Sequence, residues 1–207
     1  INDSAPKQVP RLSDEAMAQF LSTGFLSLTL DALGDSLHRR VYQRAEELET
    51  LGQMDAFNIY PRIAELEQAV LRHPTVCGAL RSVLGDSYVM SAHRSLRFAT
   101  EKGQTMHKDT QRWPVLAHRP RTVYIFYLPA GCTLQMGATA IIPQSHWLSR
   151  DRADWSSVVA TAANLAPSLS EHLCTAPAHQ ATAVMLHSSI FHRGTAATSF
   201  RVVDSKA

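Results

Sequence analysis

Apolar residues recur at helical spacing in the first half of the chain and at strand spacing in the second. Ser13 can cap a helix whose first turn carries Asp14 and Glu15, placed well for the positive end of the helix dipole. Met17, Phe20 and Leu21 form its apolar face. The stretch "GFLSLTL" (24–30) alternates Phe25, Ser27 and Thr29 against Leu26, Leu28 and Leu30, which predicts a half-buried strand. From 30 to 51, Leu30, Leu33, Leu37, Val41, Ala45, Leu48 and Leu51 step by three or four. That spacing predicts a long amphipathic helix ending at Gly52 as C-cap. Two shorter helices follow, one through Ile63, Leu66 and Val70, the other through Val76, Leu80 and Leu84 and closed by Gly85. His73-Pro74 separates them.

After Gly85 the texture changes. "SYVMSAHRSLRFAT", "RTVYIFYLPA", "GATAIIP", "ATAVMLHSS" and "SFRVV" are short, rich in Val, Ile, Tyr and Thr, and divided by Gly or Pro turns. Strands after helices predict a mainly β (α+β) protein, a sandwich or barrel with a helical layer packed outside. The insertion from about 147 to 176 reads as loop with some helix. No repeat or low-complexity segment is evident.

The composition narrows the function classes. A chain of 207 residues is long enough to bury a core, and it reads as one domain over 1–207, helix-rich at 12–85 and β-rich at about 86–203. Hydrophobic residues make up 45% and charged residues 18%, as in soluble globular proteins. Net charge is +2, and His38, Arg39 and Arg40 form the densest basic run, too little for a nucleic-acid footprint. No segment approaches the ~20 apolar residues of a membrane helix, and "INDSAPKQVP" lacks the layout of a signal peptide. Cys77, Cys132 and Cys174 are odd in number and far apart, which argues for a reducing, cytoplasmic setting over a disulfide framework. The final Ser205-Lys206-Ala207 is one residue from a peroxisomal address and carries little weight.

One triplet stands out. In "QTMHKDTQRW" (104–113), His107 and Asp109 lie two apart, so in an extended chain both project to one face. With ten histidines in the chain, roughly one His-x-Asp/Glu arises by chance, so the triplet alone is weak. A third ligand must come from elsewhere. The best candidate is His192, after a strand in "MLHSSIFHRGTAATSFRVV", with Arg201 nine residues later. Two His and one carboxylate on one side of Fe(II) leave three positions open for cosubstrate and oxygen. An arginine on the following strand offers a permanently charged planar fork for a carboxylate, and Ser199 shares its face.

Taken together, "MHKDT", "YLPAGCTLQMGATAIIPQSHW" and "HRGTAATSFR" resemble the phytanoyl-CoA dioxygenase family of Fe(II)- and 2-oxoglutarate-dependent oxygenases. "LSDEAMAQFLSTGFLSL" and "HPTVCGALRSVLGDSYVM" fit the family's opening, so the resemblance runs over most of residues 12 to 203. It implies a double-stranded β-helix (a jelly roll) with the metal at one open end. His107, Asp109 and His192 would bind iron, and Arg201 with Ser199 would clamp 2-oxoglutarate. Oxygen would complete the reaction, giving succinate, carbon dioxide and an oxidised small-molecule substrate. Halogenating relatives lack the carboxylate that Asp109 supplies, so its presence favours hydroxylation or a related oxidation. Few basic residues cluster on the pocket-side strands, which does not favour a CoA ester.

The departures from the family's pattern are specific. Met106 and Lys108 replace the aromatic and the Gln common beside the His-x-Asp. Gln144 stands at the glycine of Pro-Gly-Ser-His, and Ala197 where Asn is common. Arg201 comes early after His192, and six residues follow it where members continue. The chain thus reads as a shortened member or as part of a longer one. Other residues compete for roles. His187 is the rival distal ligand, though a buried or hydrogen-bonded role in its strand is adequate; His146 fits a structural role at a strand end. His93, His118, His172 and His179 read as ordinary. Arg94, Arg97, Gln135 and Thr139 are pocket candidates, while Trp113 and Tyr124 either line a substrate site or pack. Two other functions use the same residues: a non-catalytic jelly-roll binding protein, and a zinc hydrolase with a metal-activated water.

Overall fold

The computed structural model describes residues 9–30, 35–53, 58–91, 96, 99–109, 120–148 and 170–199. The chain opens with α1 (Asp14–Thr23), β1 (Phe25–Thr29), α2 (Asp35–Thr50) and α3 (Pro74–Leu84). It continues with β2 (Val123–Leu128), β3 (Thr139–Ile142), β4 (His172–Cys174), β5 (Thr182–His187) and β6 (Phe191–Gly194).

Local chemistry sets the helix ends. The Ser13 hydroxyl accepts from the Ala16 N–H and caps α1. In α2, Leu37, Val41, Ala45 and Leu48 are all buried, as their spacing predicts. Gly52, at φ 66°, lets the Gln53 N–H fold back onto the Leu48 carbonyl at 2.9 Å, which closes the helix. Two ends of the expected 30–51 helix differ. Leu30 lies beyond β1, fully buried, with its N–H on the Ala181 carbonyl; Leu51, past the last turn, is 62% exposed. Leu33 lies outside the described residues.

The expected helix through Ile63, Leu66 and Val70 is instead a set of turns leading into a five-residue π-helix, Glu67–Leu71. Its three apolar residues are nonetheless buried. Extended backbone at His73, forced ahead of Pro74, stops it one turn later. His73 then caps α3, its Nδ1 accepting from the Thr75 N–H.

Among the described residues the strand pairs are antiparallel, in two three-stranded sheets of order β1-β5-β2 and β4-β3-β6. β5 is central in the first sheet and buried along its whole length, so its two faces serve two cores. Ala183 and Met185 pack with Phe20, Leu26, Leu28 and the buried residues of α2 and α3. Val184 and Leu186 face the other way, onto Phe25, Ile141, Cys174 and Ile190. β2 alternates likewise, with Val123, Ile125 and Tyr127 on the helix side and Tyr124, Phe126 and Leu128 between the sheets.

Several strand expectations change. Residues 87–91 of "SYVMSAHRSLRFAT" form no strand; Val89 is 90% exposed and nothing pairs with it among the described residues. His192 follows β5, as expected, and itself lies in a further short strand, β6. β4 falls at the end of the expected 147–176 loop, whose residues 149–169 lie outside the described residues. "SFRVV" is described only at Ser199. No described helix is long and apolar enough to cross a membrane, and Cys77, Cys132 and Cys174 are free thiols.

Candidate metal centre

Residues 104–107 run antiparallel beside β6. The Gln104 N–H donates to the Gly194 carbonyl at 2.8 Å, and the Gln104 side-chain oxygen accepts from the Gly194 N–H at 2.9 Å. Three residues on, His107 and His192 exchange both backbone hydrogen bonds, at 3.0 and 2.9 Å. This bridge adds one pair to the free edge of β6, whose other edge is paired with β3. Asp109 follows at a bend.

The same-face argument for His107 and Asp109 holds although the segment is a single bridge and not a strand. His107 Nε2 lies 3.6 Å from one Asp109 oxygen, and His192 Nε2 lies 3.6 Å from the other. All three donor atoms fall within 4.8 Å of one another. These separations exceed hydrogen-bond length and suit an ion about 2 Å from each atom.

The tautomers fit the same use. His107 Nδ1 donates to the Thr105 carbonyl at 2.7 Å, and His192 Nδ1 to the Ile190 carbonyl at 3.2 Å. A carbonyl only accepts, so both Nδ1 atoms carry a proton, which leaves Nε2, turned toward Asp109, as the ligand atom of the neutral tautomer. Such carbonyl partners fix ring orientation in metal-binding histidines. The His192 pKa lies below its ordinary value, chiefly because burial disfavours the imidazolium; the Ile190 carbonyl and Asp109 oppose that effect, and His107 reinforces it. A neutral ring is the form that binds a metal. Phe126 stands edge-on to the His192 ring, 5.7 Å between centroids.

His187, the rival ligand, stands apart from this cluster. It is 2% exposed, its Nδ1 accepts from the Ser189 N–H, and its ring lies 5.0 Å from that of His146. His146 donates from Nε2 to the Leu21 carbonyl at 3.0 Å and so ties the end of α1 to the turn after β3. Both rings are buried among protein. The His172 ring packs against Phe25 at a tilt of 37°, and His179 occupies a turn at φ 64°.

Of the expected cosubstrate residues, Ser199 is half-buried and its N–H donates to the Gln135 carbonyl at 2.8 Å. The turn holding Gln135 is thereby fixed against the segment that leads toward Arg201. Thr139 opens β3, opposite Gly194 of β6. Arg201 itself lies outside the described residues, as do Arg94, Arg97, Trp113, His93 and His118.

Sequence reasoning missed Lys108 as more than a departure from pattern. Its Nζ donates to the Ser145 carbonyl at 3.1 Å and the Leu148 carbonyl at 3.4 Å, and sits 4.5 Å from the Phe191 ring centre. A lysine between two candidate ligands was the available signal.

Several solved structures share this fold. The carbocyclase SnoK from nogalamycin biosynthesis, described as alpha-ketoglutarate dependent, superposes with a TM-score of 0.66 at 16% identity, over 95% of this chain and 83% of that one. Iron-bound EctD from S. alaskensis gives 0.65 at 18% identity, over 96% and 74%. HygX from Streptomyces hygroscopicus, with nickel and 2-oxoglutarate bound, gives 0.61 at 12% identity, over 92% and 83%. No curated protein matches by sequence. The model of the phytanoyl-CoA dioxygenase family matches residues 8–203, nearly the whole chain, and the protein belongs to that family.

Proposed function

We propose that this protein is an Fe(II)- and 2-oxoglutarate-dependent dioxygenase that hydroxylates, or otherwise oxidises, a small organic substrate with release of succinate and carbon dioxide. One observation carries the reading: two backbone-anchored imidazoles and one carboxylate converge on a common point, within a chain of this family. The two antiparallel sheets, with helix residues packed on the outer face of one, support a single jelly-roll domain with an N-terminal helical layer. Free, scattered cysteines support a cytoplasmic setting.

In this reading His107, Asp109 and His192 hold the metal. Iron, when bound, supplies the redox chemistry and the sites at which cosubstrate and oxygen meet. The chain supplies geometry. The Thr105 and Ile190 carbonyls keep each Nδ1 protonated and each Nε2 a ligand. Phe126 and the apolar residues between the sheets shield the His192 side of the site from water. Arg201 pairs with the distal carboxylate of 2-oxoglutarate, assisted by Ser199, and the Gln135 carbonyl fixes the Ser199 backbone that precedes it. Asp109 fills the position that halogenating relatives leave open, which favours oxygen insertion.

The test is product formation. Purified protein with Fe(II), 2-oxoglutarate and oxygen is expected to form succinate, faster when extracts containing substrate are added. Iron binding without any succinate, with or without extracts, would instead mean a binding protein that keeps the metal shell.

A further inference from the structure

Lys108 points away from the ligands that flank it and into the protein. Its ammonium reaches the short 3-10 turn Ser145–Trp147 and donates to the two carbonyls that bracket it, Ser145 and Leu148. Beneath the ammonium lies the Phe191 ring, an additional cation–π partner. Ser145 is fully buried, and its hydroxyl accepts from the Phe191 N–H at 2.9 Å. Phe191 immediately precedes His192. One buried serine thus holds both ligand segments: its carbonyl takes the residue between His107 and Asp109, and its hydroxyl takes the backbone next to His192.

We propose that Lys108 is a positioning residue of the metal centre, fixing the His107–Asp109 segment on Ser145 in register with His192. The proposal rests on the reading of His107, Asp109 and His192 as metal ligands. Its physical need is plain. The His107 and Asp109 side chains are 37% and 42% exposed, on a segment joined to β6 by a bridge and not by a ladder. Such a segment does not by itself hold two ligands to the sub-ångström placement that a metal site needs. The inward lysine between them supplies a second anchor, on a turn that already holds the third ligand's backbone.

Cobalt(II) is a suitable probe, because its visible d–d bands report coordination geometry and its titration reports affinity without turnover. Wild type, Lys108→Met and Lys108→Arg would be titrated without oxygen, and the melting of each metal-free protein followed in parallel. Methionine keeps the stem over Phe191 and removes the donors; arginine restores them. Lys108→Met is expected to bind cobalt about tenfold more weakly, the lower end of what lost outer-shell partners cost, with an altered band shape. Lys108→Arg should recover most of both. A purely structural lysine would lower melting and leave affinity and spectrum unchanged; that result overturns the proposal. Should Lys108→Met fail to fold, Lys108→Gln, a milder change, is read by the same two measurements. A wild-type protein that binds no cobalt would overturn the metal reading itself, and the proposal with it.

Discussion

His107 and His192 hold each other by their backbones, each N–H donating to the other's carbonyl. The pairing of the two candidate ligand segments therefore survives loss of either side chain. His107, half-exposed, is the cleaner test, since removing it opens no core cavity. His107→Ala should change folding stability by no more than about 0.5 kcal/mol, as for a surface substitution. Metal binding should fall below detection. Thermal melts with and without added metal would check both; a metal-dependent rise in melting temperature that persists in the variant contradicts the assignment.

Gln144 occupies the left-handed region at φ 66° and ψ −7°, one residue before buried Ser145. A side chain there costs energy that glycine avoids. Gln144→Gly is expected to stabilise the protein by about 1 kcal/mol, read as an increase in urea midpoint. An unchanged or lower midpoint would mean that the Gln144 side chain makes contacts that offset the backbone strain.

Gly24 presents the opposite case. At φ 84° it links α1 to β1, and a Cβ on it would lie 2.5 Å from Nδ1 of the buried His146. Gly24→Ala must displace that ring or the backbone, and it adds left-handed strain as well. We expect a loss of roughly 2 kcal/mol or more. Measured in a His146→Ala background, the cost of Gly24→Ala should shrink without vanishing; a cost that vanishes there would show that the imidazole contact alone was responsible, with no backbone strain.

Burial pushes the His187 pKa down to about 4, with smaller contributions from His146 and Lys108. The folded protein then keeps this ring neutral while the unfolded chain protonates it near its ordinary value of about 6.5. Between those values the unfolded state binds more protons, so stability falls as pH drops through the window. The loss attributable to this ring is of the order of 3 kcal/mol. Urea midpoints of metal-free protein from about pH 7 to about pH 4.5 should fall more steeply for wild type than for His187→Gln. Parallel slopes would contradict the assignment.

What the sequence revealed follows from how local each signal is. Caps and spacing located α1, α2 and α3, because Ser13, Gly52 and Pro74 act within a turn of their own positions. β2, β3 and β5 were legible as apolar runs between turns. β4 and β6 were not, because "HLC" and "FHRG" are too short to show a period and owe their strand state to pairing with β3. The stretch at 87–91 failed for the converse reason, a strand-like composition with no strand paired to it among the described residues. At the site, period two placed His107 with Asp109, and the family's order of motifs brought in His192. The link from Lys108 to Ser145 spans 37 residues and exists only once the chain is folded.

The most direct test of the metal and cosubstrate reading is an anaerobic titration with Fe(II) and then 2-oxoglutarate, followed by the weak visible charge-transfer band of the chelate. Wild type should show the band, Asp109→Ala should lose it, and Arg201→Ala should need more 2-oxoglutarate to reach it. Iron-loaded wild type that never develops the band would contradict the dioxygenase account.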